Sequence, residues 1–145
     1  MKPLLISSRE FKSIYSRVPR LCVDVVLKNK DGVLLTLRRL PTWHKWWHLP
    51  GGTVFYGETL KQAVQRIAKR ELGVAVKVVK FLGYYECDSE IKQRGYGWSV
   101  SLVFQCQISV RAIKVNEEAY EARFFKRYPA RFLAEQRNFL QTHLK

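Results

Sequence analysis

The apolar positions of this chain recur at two different periods. Leu21 to Leu27 and Val33 to Arg38 are β-rich runs parted by Lys28-Asn29-Lys30-Asp31-Gly32, whose Asn, Asp and Gly supply the turn chemistry of a hairpin. Val74 to Tyr85 and Ser99 to Val110 predict two further strands, the second with good alternation, and Ala122 to Phe125 predicts a last short one. Thr53 to Phe55 is a candidate short strand after the loop Pro41 to Gly52. The segment between the two long strands, with Asp88, Arg94, Gly95 and Gly97, has the polarity of a mobile loop. Helical spacing governs elsewhere. Ser7 and Glu10 stand as a capping box for an N-terminal helix over about 7–16, with Phe11, Ile14 and Tyr15 on its apolar face and Pro19 beyond its end. Gly57 opens a helix from about Glu58 to Leu72, which Gly73 stops. A C-terminal helix over about 129–144 starts at Pro129 and repeats Phe132, Leu133, Gln136, Phe139, Leu140 and Leu144. Strands with one central and one terminal helix predict an α/β domain, a mixed sheet sandwiched between helices.

The central helix contains an anomaly. At roughly 100° per residue, Leu60, Ala63, Val64, Ile67 and Ala68 form one apolar stripe, and Glu71 falls on that stripe rather than opposite it. A carboxylate buried on an apolar face costs several kcal/mol unless a cation, a metal or hydrogen bonds compensate it. Either Glu71, in the last turn, tilts out to solvent or an arginine, or something at the core boundary needs it.

Length and composition bound the answer. The 145 residues, 47% of them hydrophobic, suit one domain over 1–145 with a single core. Cys22, Cys87 and Cys106 are odd in number and lack any CxxC or Cys/His metal spacing, which predicts reduced thiols and a cytoplasmic, soluble protein. No run reaches the roughly 20 apolar residues of a membrane span. The net charge of +14 is spread along the chain, with ten basic and three acidic residues before position 51 and sixteen against nine after it. Such a field attracts nucleic acid, anionic lipid or a small polyphosphate without choosing among them.

A motif makes the choice. Gly52, Glu58, Arg66, Glu71, Gly73 and Val74 stand at the spacing of the signature G-x5-E-x7-R-E-U-x-E-E-x-G-U, preceded by Trp47-His48-Leu49-Pro50-Gly51-Gly52. In these residues the chain resembles the Nudix hydrolases. The resemblance implies an α/β/α sandwich with a mixed central sheet, a nucleoside diphosphate-linked substrate and Mg²⁺, with Mn²⁺ as a substitute. Two signature glutamates are replaced, by Ile67 and Arg70. Those carboxylates would help hold several ions, so at most one metal is expected here.

The same two losses, and the segment from Arg9 to Arg39, resemble the branch of GDP-mannose mannosyl hydrolases. That resemblance implies Gly51 (main-chain carbonyl), Glu71 and Glu118 as metal ligands, Arg39 at the diphosphate, Asp24 at the substrate and Arg66 as a further motif residue of the active site. Each has a plainer reading as well: Arg66 pairing with Glu58, Asp24 at an exposed edge, Glu117 and Glu118 in a solvated turn. Ala119 and Cys87 stand where the branch has histidines, the first of them its general base, and Thr53 where it has an arginine. A base can then come from Glu117, Glu121, His44 or His48, and spacing selects none. Trp47 is expected in the core, while Trp43 and Trp46 fit either core or a stacking platform.

The expected activity is hydrolysis of a nucleotide sugar such as GDP-mannose to sugar and nucleoside diphosphate. Attack at phosphorus is the alternative within the same class. A binding module for nucleotide or nucleic acid is the alternative from another class, with nucleic acid the weaker partner. The exposed apolar face of the N-terminal helix also suggests a homodimer.

Overall fold

The structure is a computed structural model that describes residues 5–108 and 112–144. Its elements are α1 (Ser8–Tyr15), β1 (Arg20–Asn29), β2 (Gly32–Arg38), β3 (Trp47–His48), β4 (Gly51–Thr53), α2 (Leu60–Leu72), β5 (Val76–Cys87), α3 (Ser89–Arg94), β6 (Ser99–Ile108), β7 (Ala119–Phe125) and α4 (Ala134–His143). The strands form a seven-stranded mixed sheet of order β3-β2-β1-β6-β5, with β4 on β1 and β7 on β2. β1 runs parallel to β6 and antiparallel to β2 and β4. The expected mixed sheet between helices is what forms.

Two apolar clusters sit on the sheet. One joins Val23, Val25 and Leu27 of β1 to Ala63, Val64, Ile67, Ala68 and Leu72 of α2. The other joins Val26, Val33, Leu35 and Val103 to Phe132, Phe139 and Leu140 at the C-terminal end of the chain. The alternation of β1 thus sends its odd positions to α2 and Val26 to α4. β1 also forks: Lys28 and Asn29 pair with β2, while Cys22 to Asp24 pair with β4, which sets Asp24 opposite Gly51. That fork is what brings the glycine turn beside the first strand.

The predicted helix ends shift for identifiable reasons. α2 begins at Leu60 rather than Glu58, because Thr59 is its N-cap: its hydroxyl accepts from Gln62 N–H at 3.1 Å and Gln62 Oε1 accepts from Thr59 N–H at 2.9 Å. α4 begins at Ala134 rather than Pro129, because the preceding backbone is committed to β3: Trp47 N–H donates to Arg131 O at 2.7 Å and Leu133 N–H to Trp47 O at 3.2 Å. The segment expected as a mobile loop contains α3, closed by Gly95 in the left-handed region at φ 85°, whose N–H donates to Ile91 O. The last predicted strand is longer than expected, reaching back to Ala119 with a bulge opposite Thr36 and Arg38. The far end of the predicted strand at Val110 lies outside the described residues. All three cysteines are free, as expected. No helix among the described residues is long and apolar enough to cross a membrane.

Ile67 is 2% exposed and faces the first cluster, so the phase assigned to α2 from its pattern is the observed one. Ile67→Glu is expected to lower stability by roughly 3 kcal/mol or more in EDTA, the scale for an unpaired buried charge. An unchanged denaturation midpoint in EDTA would contradict this placement.

Candidate active site

A cavity of about 810 Å³ opens where β1 forks, walled by α1, β1, β4, α2, α3 and the turn before β7. Its size is that of a small-molecule site. The helical period delivers Glu71 into it from the last turn of α2, and Glu71 Oε2 accepts from Gly51 N–H at 3.2 Å. Burial, then repulsion from Glu118, push the Glu71 carboxyl up to about 8, with the Gly51 bond and Arg70 pulling the other way.

Asp24 is not an exposed edge residue. It is buried, and its Oδ2 accepts from Tyr85 hydroxyl at 2.5 Å and Ser101 Oγ at 2.8 Å. Burial raises its carboxyl to about 6 against those two bonds. Asp24 Oδ1 lies against Gly51: a Cβ built there would come within 2.1 Å of it and within 2.8 Å of Val23 O. Position 51 therefore has room for glycine alone. Gln136 of α4 ties the wall together, donating through Nε2 to Tyr85 hydroxyl at 3.1 Å and accepting Leu49 N–H at 2.7 Å.

Arg66 is occupied. Its Nε donates to Glu58 Oε2 at 2.6 Å and its Nη2 to Thr53 O at 2.8 Å, with the guanidinium over the Phe55 ring at 3.8 Å. Glu58 also accepts from Phe55 N–H at 3.0 Å. This pair of motif residues clamps the loop between β4 and α2, and the Glu58 carboxyl stays low because Arg66 and Phe55 N–H stabilise its charge against the cost of burial. The plainer reading of Arg66 is the one its contacts describe.

Glu118 lines the cavity, held by Asn116 Oδ1 on its N–H at 3.0 Å, and its carboxylate forms an ion pair with Arg70. Arg39 is placed elsewhere: it is exposed, its guanidinium lies over Tyr120 at 5.4 Å, and the cavity is lined by Arg38 instead. Arg38 is fixed by Nε donating to Thr42 O and Nη2 to Thr42 Oγ1, each at 2.8 Å. Sequence reasoning missed Arg38 and also Arg20, whose Nη1 reaches the Thr53 hydroxyl at 3.3 Å and whose Nη2 pairs with Glu90 at 3.0 Å. A guanidinium thus stands beside Thr53 from another strand. Of the four candidate bases only His48 lines the cavity, its Nε2 3.1 Å from Thr36 Oγ1. Burial holds its pKa well below the usual value, so it is neutral near pH 7. Trp47 packs edge-on against Phe125 in the second cluster, whereas Trp43 lines the cavity.

The donor set fits one divalent ion. Glu71 is a desolvated carboxylate with a single hydrogen bond, beside a second carboxylate, Glu118. Mg²⁺ typically uses one or two carboxylates and completes its shell with water and substrate phosphate. Among the described residues no group of three or more His, Cys, Asp or Glu side chains is disposed to hold a metal.

Comparison with known proteins shows the family. The NUDIX domain model matches residues 18–141, and the chain belongs to that family. Two curated relatives are the low-salt glycan biosynthesis protein Agl8 of Haloferax volcanii, 42% identical over 81 residues, 56% of this chain and 52% of the relative, and the ADP-ribose pyrophosphatase of Methanocaldococcus jannaschii, 33% identical over 107 residues, 74% of this chain and 62% of the relative. The chain therefore spans little more than half the length of these relatives. The crystal structure of a MutT NUDIX hydrolase from Burkholderia pseudomallei superposes with a TM-score of 0.78 at 20% identity, over 89% of this chain and all of that one, which shows the shared fold.

The raised Glu71 carboxyl sets a pH dependence. Between about 4.5 and about 8 the native protein holds a proton on Glu71 that the unfolded chain has released. Stability of the metal-free protein is therefore fully present below the lower value and declines as pH rises through the upper one. In EDTA, denaturation across that range is expected to show a slope approaching about 1.4 kcal/mol per pH unit from this residue, absent in Glu71→Gln. Parallel profiles for the two proteins would show that Glu71 is solvated.

Proposed function

We propose that this chain is a hydrolase of nucleoside diphosphate-linked compounds, with a nucleotide sugar as its substrate, acting with a single divalent ion bound at Glu71. One observation carries the reading: of the four glutamate positions in the signature, α2 and its approach present one, Glu71, as a carboxyl in the cavity without a salt-bridge partner among the described residues. Glu58 is spent on Arg66, Ile67 is buried in the core, and Arg70 is a cation. Glu118 and the Gly51 carbonyl are the further ligands proposed for the ion. When bound, the ion would neutralise charge on a diphosphate and orient it.

The chain's own residues fit departure of a nucleoside diphosphate from the anomeric carbon of a sugar. Arg38 and Arg20 bring guanidinium groups to the cavity, where charge building on a leaving diphosphate is stabilised most strongly. Asp24, held through Oδ2 by Tyr85 and Ser101 and packed through Oδ1 against Gly51, fixes the glycine turn that borders the substrate cavity. His48 lines the cavity as a neutral imidazole with Nε2 beside Thr36 Oγ1, and burial makes it too weak a base to be assigned the proton of an attacking water. Similarity to a protein named for glycan biosynthesis is consistent with a nucleotide sugar. Similarity to a protein named as an ADP-ribose pyrophosphatase supports a second reading, attack at phosphorus on the same substrate class.

Isotope tracing separates the two. In ¹⁸O-water with GDP-mannose and a panel of GDP- and ADP-sugars, the label is expected in the free sugar, with intact nucleoside diphosphate as the other product. Label in a nucleoside monophosphate or sugar phosphate would establish attack at phosphorus. No turnover of any panel member would leave a nucleotide-binding module. Glu71→Gln is expected to reduce metal-dependent turnover by on the order of 100-fold or more, since an amide is a poor Mg²⁺ ligand. Wild-type turnover by this variant across a Mg²⁺ titration would contradict the assignment.

A further inference from the structure

Of the two departures from the signature, one is passive and one is not. Ile67 fills the core, but Arg70 reaches across the cavity wall from the last turn of α2 and pairs through Nη2 with Oε1 of Glu118. The two partners differ in freedom. Glu118 is tethered by its backbone: its N–H donates to Asn116 Oδ1 at 3.0 Å, and its carbonyl accepts Arg39 N–H at 2.9 Å. Arg70 hangs from a long side chain that is 51% exposed, against 26% for Glu118. The backbone that carries Glu118 is thus anchored, and the guanidinium is a cation that can leave its carboxylate for water at small cost.

Glu71, the next residue in the helix, lines the same cavity as Glu118. In the metal-free protein the guanidinium of Arg70 is the cation that pairs with the Glu118 carboxylate. A divalent ion bound at Glu71 would draw on the same carboxylate. We propose that Arg70 is a resident counter-cation that competes with the divalent ion for Glu118, so that in the metal-free site Glu118 is neutralised by the chain itself. The ion then gains Glu118 as a ligand only when the guanidinium withdraws. This inference rests on the reading of Glu71 as a metal ligand.

Competition makes a prediction that mere packing does not: removal of Arg70 strengthens metal binding while removing a favourable contact from the metal-free fold. The test is Mn²⁺ binding to nucleotide-free protein, read from the EPR signal of free Mn²⁺, for the wild type, Arg70→Ala, Arg70→Lys, Glu118→Gln and the double variant Arg70→Ala/Glu118→Gln. Melting in EDTA confirms that each is folded. Arg70→Ala is expected to bind Mn²⁺ about fivefold more tightly than the wild type, the scale of an exposed ion pair and about 1 kcal/mol. Arg70→Lys keeps a cation and should stay within about twofold of the wild type. Glu118→Gln alone is expected to weaken Mn²⁺ binding, because it removes a proposed ligand and leaves the Arg70 guanidinium unpaired beside the ion, and to abolish the gain when added to Arg70→Ala.

Equal or weaker Mn²⁺ binding by Arg70→Ala would overturn the competition, as would a gain that survives Glu118→Gln. Glu71→Gln separates this failure from that of the underlying reading. If Glu71→Gln removes Mn²⁺ binding while Arg70→Ala matches the wild type, the inference about Arg70 alone is wrong. If Glu71→Gln leaves Mn²⁺ binding intact, both are wrong.

Discussion

The contact between the Glu71 carboxylate and the Gly51 amide, 3.2 Å long, fixes how α2 meets the glycine turn. A helix that carries a carboxylate on its apolar stripe must deliver it either to water or to a partner, and here the helix axis, the turn and the fork in β1 are arranged so that it reaches a backbone N–H inside a cavity. One neutral hydrogen bond compensates only part of the desolvation of a carboxylate. The remainder appears as a carboxyl pushed up to about 8, mainly by burial. A carboxyl held in this way is unfavourable for folding, and it is the feature on which the proposed cation site rests.

The rest of the cavity wall supports that contact. Gly51 has no space for a side chain because Asp24 Oδ1 occupies it. Asp24 is itself fixed by Tyr85 and Ser101, and Tyr85 by Gln136, which also holds the Leu49 amide two residues before Gly51. On the other side of the turn, Arg66 and Glu58 lock Thr53 and Phe55. The turn is thus gripped from α4 through one polar chain and from α2 through another. Buried polar networks satisfied in this way specify one geometry, and losing one member exposes the others to an unpaired state.

Much of this arrangement is legible in the sequence, and the illegible parts have physical causes. The inward phase of Glu71 follows from the 3.6-residue period over a helix of thirteen residues, long enough to define a stripe. The family resemblance implies that Gly51 and Glu71 are neighbours, and the plainer reading of Arg66, pairing with Glu58, is an ion pair in the structure. The choice between Arg38 and Arg39 was not legible: Val33 to Thr36 are all buried, so β2 shows no alternation to give parity, and the register breaks at a bulge between Thr36 and Arg38. Asp24 looked ambiguous because an acid in an apolar run is explained only by its cross-strand partners, Tyr85 and Ser101, which lie 61 and 77 positions away. The start of α4 depended on a tertiary bond to Trp47, and α3 is too short for periodicity to reveal. Thr59 and Gln62 were a readable capping box that a glycine at position 57 obscured.

The central claim is that this cavity takes one divalent ion, bound at Glu71. Anomalous diffraction at the manganese edge, from crystals grown with Mn²⁺ and a nucleoside diphosphate, tests it most directly. The account predicts a single strong anomalous peak per chain, bonded to a Glu71 oxygen beside Gly51. Two or more peaks in the cavity, or a peak bonded elsewhere with Glu71 left free, would contradict it.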